Sequence, residues 1–339
     1  MKTKKELLVN EGKFPTINLL DVRSPLEFSK GHIPGAINYP LFSDDERAKV
    51  GTVYKQKGSD LAIIEGLKIV GPKMHEIVTD CREIFPDKKI LVHCWRGGMR
   101  SNSVSWLLNQ AGFETNILQG GYKAYRARVR EFLSGPFKLV IISGTTGSGK
   151  TDVLHALKDL GEQVIDLEGL ACHKGSSFGA IGQPEQPSIE QFENNLANEL
   201  TEYDAEDTIW IEDESRRIGK INMEDHFWNQ MKRADFVSYS IPEEERVKRL
   251  VADYGAFDFE ELKQSLIRIG KRLGPQHLKG ALTSLEEGNL EEVVKTCLVY
   301  YDKTYNYGQS KKQGKCLNKF EFDYSDPRMI AQELKNSRQ

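Results

Sequence analysis

Two side chains stand out by the company they keep: the thiol of Cys94 and the ammonium of Lys150. Cys94 lies in His93-Cys94-Trp95-Arg96-Gly97-Gly98-Met99-Arg100-Ser101, and Lys150 in Gly144-Thr145-Thr146-Gly147-Ser148-Gly149-Lys150-Thr151. Both loops follow an apolar run of β character and lead into a helical pattern. The first offers a reactive sulfur in an anion cradle. The second offers a site for a nucleotide or another diphosphate. Any function must account for the two together.

In the cysteine loop, Gly97 and Gly98 permit backbone angles that turn successive N–H groups inward. A helix starting near Ser101 adds positive potential at the same point, and Arg96 and Arg100 bring guanidinium groups. Each of these favours thiolate over thiol. A cradled thiolate attacks an electrophile and then holds the anionic group it has received, whether sulfane sulfur, selenium or phosphate. The catalytic assignment is therefore Cys94 with Arg96 and Arg100. The Cys-x5-Arg spacing makes a wide cradle that also accepts a phosphate-sized group, so the loop alone leaves sulfur, selenium and phosphate open.

The second loop satisfies the pattern Gly-x4-Gly-Lys-Thr in full. Backbone N–H groups over Gly144, Gly147, Ser148 and Gly149 would wrap a diphosphate, Lys150 would supply a point charge, and Thr151 would reach a magnesium ion. The apolar run Ile209-Trp210-Ile211 ends in Glu212-Asp213-Glu214. Glu212 or Asp213 would hold the metal through water, and Asp213 is assigned to it beside Thr151. Asp166 ends another strand and either faces an acceptor or caps a helix. The motif speaks for diphosphate affinity with magnesium rather than for ATP hydrolysis, and a pyrophosphate ester other than a nucleotide also fits.

Positioning these groups calls for alternating strands and helices. Residues 17–22, 89–93 and 115–118 read as strands, 101–111 as a helix, and 68–85 contains helix. The helical stretch 123–133 is broken by Ser134-Gly135-Pro136, and a new strand starts at Lys138. Beyond it, strands at 139–142, 163–167, 208–211 and 236–241 alternate with helices at 151–160 and 190–202. Residues 242–301 are mostly helical, and the tail from 311 is basic at first and then weakly helical. The pattern predicts an α/β protein. Its first α/β domain spans residues 1–134. A P-loop, parallel-sheet domain with a helical C-terminal part spans 137–339.

The 339 residues suffice for two such domains. A composition of 39% hydrophobic and 29% charged residues is that of a soluble globular protein. Apolar runs such as 138–143 are too short for a bilayer, and residues 1–6 are basic without an apolar signal core behind them, which points to the cytoplasm. Cys81, Cys94, Cys172, Cys297 and Cys316 are odd in number and widely spaced, against a disulfide framework or a structural zinc site. Residues 1–136 carry 21 Lys+Arg against 15 Asp+Glu, and the rest carries 26 against 35. The first part therefore attracts a polyanion more readily than the second.

Leu20-Asp21-Val22-Arg23-Ser24-Pro25-Leu26-Glu27-Phe28 and Gly31-His32-Ile33-Pro34-Gly35-Ala36-Ile37-Asn38 resemble the rhodanese family, over most of residues 15–125. The resemblance implies a sulfurtransferase-type fold with Cys94 as the persulfide-forming or selenide-carrying residue, and with Asp21 and Arg23 shaping the domain. Many rhodanese loops place the second arginine one residue sooner, and the spacing here also resembles dual-specificity phosphatases of the cell-cycle type. A rhodanese-like domain followed by a P-loop domain resembles the bacterial tRNA 2-selenouridine synthases. So does the text of residues 94–101, 120–126, 144–151, 166–169, 173–179 and 211–219, within a likeness spanning roughly residues 15–300. This second resemblance implies wobble 2-thiouridine of tRNA as substrate. It also implies two steps, in which a geranyl group from geranyl diphosphate is placed on the sulfur and selenophosphate then replaces the geranylated sulfur with selenium. Magnesium, the tRNA anticodon loop and a selenophosphate-producing enzyme are the cofactor and partners it implies.

Lys123, Arg126, Arg128 and Arg130, interleaved with Tyr122 and Tyr125, read as a basic, aromatic face for an anticodon loop. Arg216 and Arg217, with Lys220, form a second basic cluster. Arg268, Lys271 and Arg272 form a third, and Lys311, Lys312 and Lys315 a fourth. His173, Lys174, Ser176 and Ser177 read as a mobile lid, on which His173 either assists proton transfer or, as is commoner for a loop histidine, is simply exposed. Two other function classes fit the loops. One is a P-loop kinase or ATPase with a sulfurtransferase domain. The other is a thiol phosphatase with a nucleotide-binding domain, for which no general acid is evident.

Overall fold

The computed structural model describes residues 18–204 and 206–337; residues 1–6 and Ile17 of the sequence reading lie outside them. The chain divides into two compact units. The first runs to Leu133 and takes in Glu193–Glu202, and the second covers Ser134–Phe192 and Tyr203 onward.

The first unit contains β1 (Leu19–Asp21), α1 (Pro25–Ser29), β2 (Ile37–Asn38), α2 (Asp44–Lys57), α3 (Ser59–Val70) and α4 (Met74–Ile84). They are followed by β3 (Lys89–His93), α5 (Met99–Gln110), β4 (Glu114–Ile117) and α6 (Gly121–Leu133). The sheet order is β2-β1-β3-β4, and every pairing is parallel. β3 is an interior strand because Ile90, Leu91 and Val92 form an unbroken apolar run that buries both faces. Val92 packs with Leu20, Phe85, Val104 and Leu108 in the core. Cys94 therefore emerges at the carboxyl end of an interior parallel strand and just ahead of a helix, where backbone N–H groups are free to bind an anion.

The second unit repeats this logic on a larger sheet. Its elements begin with β5 (Leu139–Gly144), α7 (Lys150–Asp159), β6 (Gln163–Ile165), α8 (Leu167–Ala171) and α9 (Ile189–Leu200). The last eight residues of α9 belong to the first unit. Next come β7 (Ile209–Glu212), the short antiparallel pair β8 (Arg217–Ile218) and β9 (Ile221–Asn222), α10 (Asp225–Arg233) and β10 (Asp235–Ser240). The chain closes with α11 (Glu243–Tyr254), α12 (Phe259–Leu273), α13 (Pro275–Glu286), α14 (Leu290–Gln309), β11 (Cys316–Glu321) and α15 (Pro327–Asn336). The five-stranded order is β11-β10-β5-β7-β6, parallel throughout. β5 is central and buried along its whole length, so the P-loop leaves the middle of the sheet.

The tail is more ordered than its sequence indicated. β11 pairs with β10, and α15 opens on an Asp326 cap with Pro327 in its first turn. It buries Ile330, Ala331 and Leu334 in the core that also holds Leu154 and Leu157 of α7. α12 to α14 enclose a separate apolar core around Leu266, Ile269, Ala281, Val293 and Cys297. Among the described residues no helix is long and apolar enough to cross a membrane.

Candidate functional site

The Cys94 sulfur is buried and lies 3.3 Å from the Ser101 hydroxyl. Burial works against ionisation. The Ser101 hydroxyl, the backbone N–H groups of Ser101 and Arg96, and the Arg100 charge outweigh it and hold the thiol below its usual value. The cradle is pinned from outside: Tyr122 N donates to the Cys94 carbonyl and Lys123 N to the Trp95 carbonyl, each at 2.9 Å. Such close approach leaves no room for a side chain at Gly121, where a Cβ would collide with the Cys94 carbonyl, or at Gly97, where it would sit 2.6 Å from the Leu118 carbonyl. Gly97 has φ +65, in the left-handed region, whereas a Cβ at Gly98 would meet nothing. Only the first glycine of the pair is sterically required.

The two arginines differ. Arg96 is exposed. Arg100 donates to both carboxylate oxygens of Glu27, at 2.6 and 3.2 Å. Burial pushes the Glu27 carboxyl up, but the Arg100 guanidinium and the Ser24 N–H more than reverse this and hold it low. Glu27, 73 residues from Arg100, is a cradle residue that the sequence reading missed. Asp21 and Arg23 form a fully buried bidentate pair, with Arg23 stacked 3.8 Å over the Tyr122 ring and donating to the Gly31 carbonyl. They shape the domain. Behind Cys94, His93 is fully buried and its imidazole is pushed down to about 4, chiefly by burial, so it stays neutral at physiological pH.

At the P-loop, Lys150 Nζ lies 3.3 Å from the Gly144 carbonyl. The hydroxyls of Thr145 and Ser148 are buried without a partner among the described residues, as donors awaiting an anion would be. The Thr151 hydroxyl donates to Glu168 at 3.1 Å, and Glu168 was not among the residues singled out from sequence. It sits two positions after Asp166 in the strand-to-helix turn, and that spacing was the available signal. Asp166 itself caps α8, accepting from Gly169 N at 2.7 Å, with His155 Nε2 2.9 Å from its other oxygen.

The three acids after β7 have separate tasks. Asp213 faces the loop and is held by the Ser143 hydroxyl at 2.5 Å and by Lys312 at 2.8 Å. Glu212 is fully buried and accepts the Glu168 N–H at 2.7 Å, so it orients Glu168. Burial first, then Asp166 and Glu168, push its carboxyl well above the usual range. Burial and Glu168 do the same to Glu214. Among the described residues no three His, Cys, Asp or Glu side chains converge as a metal cage. The oxygen donors of Thr151, Glu168 and Asp213 instead suit magnesium, which keeps waters and substrate phosphates in its shell.

Glu212 supplies a prediction about stability. A carboxyl that is harder to ionise when folded makes the folded state bind more protons, so stability falls as pH climbs from the ordinary carboxylate range toward the raised folded value. Glu212→Gln keeps the acceptor for Glu168 N and removes the titration. The variant's melting temperature is expected to exceed that of the parent at about pH 8, by roughly 2–4 °C per kcal/mol relieved, and to converge on it near about pH 5. Thermal unfolding across pH checks this; a gap that widens toward acid would contradict it.

The loop after α8 approaches the acids closely. Gly175, at φ +62, would place a Cβ 2.5 Å from Glu214 and 2.7 Å from Glu168. His173 is buried rather than exposed, which corrects the sequence expectation, and burial lowers its imidazole. Lys174, Gly175, Ser176 and Ser177 line a cavity of about 940 Å³ that contains the P-loop. Its wall shares Thr146, Ser176, Leu250, Tyr254 and Tyr301 with a narrow apolar recess completed by Phe178, Leu262, Leu290, Val293, Val294, Cys297 and Leu298.

The basic, aromatic face expected on α6 is not one. Tyr122 and Tyr125 are fully buried, and Arg126 is buried and bonded to Glu193 and Asn194. Positions 122, 125, 126, 129 and 133 form the helix's buried stripe. Lys123 and Arg130 are exposed, and half-buried Arg128 pairs with Glu131 at 3.0 Å. Arg216 and Arg217 are exposed beside β8; the first pairs with Asp225, and the second donates to the Gly219 carbonyl at 2.9 Å.

Comparison with known proteins agrees with this pairing of sites. A family model described as the tRNA 2-selenouridine synthase AAA domain matches residues 137–332, and a rhodanese-like domain model matches residues 3–128. The chain is similar to relatives named tRNA 2-selenouridine synthase. That of Shewanella denitrificans is 36% identical over 353 residues, covering 94% of each chain. That of Shewanella sediminis is 37% identical over 338 residues, covering 89% of this chain and 90% of the relative. That of Bdellovibrio bacteriovorus is 35% identical over 339 residues, covering 85% and 88%.

Proposed function

The chain belongs to the tRNA 2-selenouridine synthase family, and from that premise we propose that it converts the wobble 2-thiouridine of tRNA to 2-selenouridine in two transfers. The first would use the P-loop cavity. The thiocarbonyl sulfur attacks carbon 1 of geranyl diphosphate, the carbon–oxygen bond breaks, pyrophosphate leaves and the base loses its N3 proton. The second would use the cysteine loop. Selenophosphate is held there, its selenium adds at carbon 2 of the base, the carbon–sulfur bond breaks so that the geranylated sulfur departs as a thiol, and water then cleaves the selenium–phosphorus bond to release phosphate. Alkylation makes the exchange feasible, because a thiocarbonyl sulfur is a poor leaving group until it carries the geranyl chain.

The observation that carries this reading is the apolar recess opening off the P-loop cavity. A nucleotide places a polar base and ribose beyond its phosphates, whereas an isoprenoid diphosphate places hydrocarbon there. The recess offers a few polar atoms of Thr146, Ser176 and Tyr301 at its mouth and aliphatic side chains behind them. It holds only about 40 Å³, so a ten-carbon tail requires Leu250 and Tyr254, which the recess shares with the cavity, to swing aside. Lys150, the buried Thr145 and Ser148 hydroxyls and the P-loop N–H groups would take the diphosphate. Thr151, Glu168 and Asp213 are the groups that would hold magnesium, which supplies charge neutralisation on the diphosphate when bound. In the first unit, exposed Arg96 is free to orient the phosphate part of selenophosphate, while Glu27 keeps Arg100 fixed beside the thiolate.

Filling the recess probes the tail directly. Cys297→Phe is expected to raise the KM for geranyl diphosphate by roughly tenfold, an overpacking effect in the range of 1–3 kcal/mol, and to leave inorganic pyrophosphate affinity unchanged. An unchanged KM would remove the tail from this recess. The function itself is tested by pyrophosphate release from geranyl diphosphate with and without a 2-thiouridine stem-loop. Release that depends on the RNA supports the reading. RNA-independent turnover of ATP, with geranyl diphosphate untouched, would replace it with a kinase or ATPase.

A further inference from the structure

The C-terminal half of α14 carried no motif in the sequence, yet it forms one wall of the P-loop cavity. Tyr300, Thr304, Tyr305 and Gly308 line that cavity. Tyr300, Thr304 and Gly308 recur every four residues along one face of the helix, and Tyr305 follows Thr304 at the edge of that face. Tyr305 is fixed beside the P-loop: its hydroxyl lies 3.3 Å from Ser143 Oγ, on the residue preceding Gly144, and 3.2 Å from Ser238 Oγ. The Tyr300 hydroxyl receives an N–H of Arg272 at 3.4 Å. Both rings are half-buried, so each keeps surface open to the cavity.

Two features of this wall have no packing explanation. A glycine in a helix costs about 1 kcal/mol relative to alanine, but a Cβ at Gly308 would meet nothing within 4 Å. The backbone there is open to close approach by something else. Three cavity cations, Lys232, Arg272 and Lys311, are exposed and have no carboxylate within ion-pair reach among the described residues. Lys311 instead lies 4.2 Å over the Tyr307 ring. These free cations sit in the acidic part of the chain, where residues 137–339 hold 26 Lys+Arg against 35 Asp+Glu. Unpaired positive charge concentrated on one cavity of an acidic unit marks the approach of a polyanion.

We propose that this face is the RNA-binding wall of the P-loop cavity, on which an unstacked anticodon base rests against Tyr300 and Tyr305 while Lys232, Arg272 and Lys311 meet flanking phosphates. Aromatic rings interleaved with unpaired cations are how single-stranded RNA is held, the rings stacking bases and the cations tracking the backbone. The inference rests on the function proposed above and supplies what that function leaves open, a place for the acceptor base near the diphosphate. Tyr301 lines both the cavity and the apolar recess, whereas Tyr300, Tyr305 and Gly308 line the cavity alone and are left for the acceptor. A protein partner would satisfy the rings but would not account for three uncompensated cations at a diphosphate site.

The experiment uses the full-length chain and an anticodon stem-loop carrying 5-iodouridine at the wobble position. Irradiation is expected to join that base to a peptide containing Tyr300 or Tyr305. The companion measurement is binding of the 2-thiouridine stem-loop and, separately, of inorganic pyrophosphate. Tyr300→Ala and Tyr305→Ala are each expected to weaken RNA binding roughly tenfold, with Tyr300→Phe and Tyr305→Phe close to the parent and pyrophosphate binding unchanged in all four. The phenylalanine variants separate ring stacking from a structural loss. A crosslink found only within residues 18–133, or full RNA affinity in both alanine variants, would overturn the proposal. If the crosslink forms at these tyrosines while no geranyl transfer occurs, the RNA wall stands and the proposed reaction falls. A parent protein that binds pyrophosphate but no RNA would sink both.

Discussion

Cys94→Ser is expected to stop 2-selenouridine formation, by roughly 10³-fold or more, while geranyl transfer to the same RNA continues within about twofold of the parent. The substitution is close to isosteric in a buried site, and the cradle's main supports lie in the backbone bonds from Tyr122 and Lys123 and the Arg100–Glu27 pair. It removes a thiol whose ionisation the loop favours. Analysis of nucleosides after each half-reaction checks the outcome, and equal loss of both transfers would overturn the division of labour between the loops.

The converse substitution should give the converse defect. Lys150→Ala is expected to slow geranyl transfer by about 10² to 10³, the usual cost of losing one preorganised charge aimed at a departing oxyanion. Selenation of RNA already carrying the geranyl group should proceed at the parent rate. Lys150 is well placed for this: its ammonium lies 3.3 Å from a backbone carbonyl, and among the described residues no carboxylate is within ion-pair reach of it. Stem-loop binding should be unaltered, because Lys150 is not part of the proposed RNA wall. Rate measurements on 2-thiouridine and on S-geranyl-2-thiouridine substrates separate the two steps. A variant that lost selenation of pre-geranylated RNA would show that the P-loop serves the second transfer as well.

What was legible in the sequence was local. Cys94, Lys150 and Thr151 sit in segments whose geometry comes from glycine positions, backbone N–H groups and the helix that follows, all within ten residues. Strands β3 and β5 were equally plain, since interior parallel strands are continuous apolar runs. What escaped was set by distant partners. Glu27 fixes Arg100 across 73 residues. β11 is a strand only because β10 is beside it, and its alternation of half-buried and exposed positions is too weak to read alone. The wall on α14 depends on β5 and β10 placing Ser143 and Ser238 under Tyr305. Arg126, Tyr122 and Tyr125 were misread for another reason. Composition drew attention to charge and aromaticity, whereas the spacing of Tyr122, Tyr125, Val129 and Leu133 already marked a buried stripe that includes Arg126.

The most direct test of the account follows one stem-loop through both transfers. Purified protein, a 2-thiouridine stem-loop, geranyl diphosphate and magnesium are incubated without selenophosphate, and the nucleosides are read by mass spectrometry; selenophosphate is then added. S-geranyl-2-thiouridine should accumulate in the first stage and give way to 2-selenouridine in the second. Formation of 2-selenouridine in a parallel reaction lacking geranyl diphosphate, or an unmodified 2-thiouridine throughout, would contradict it.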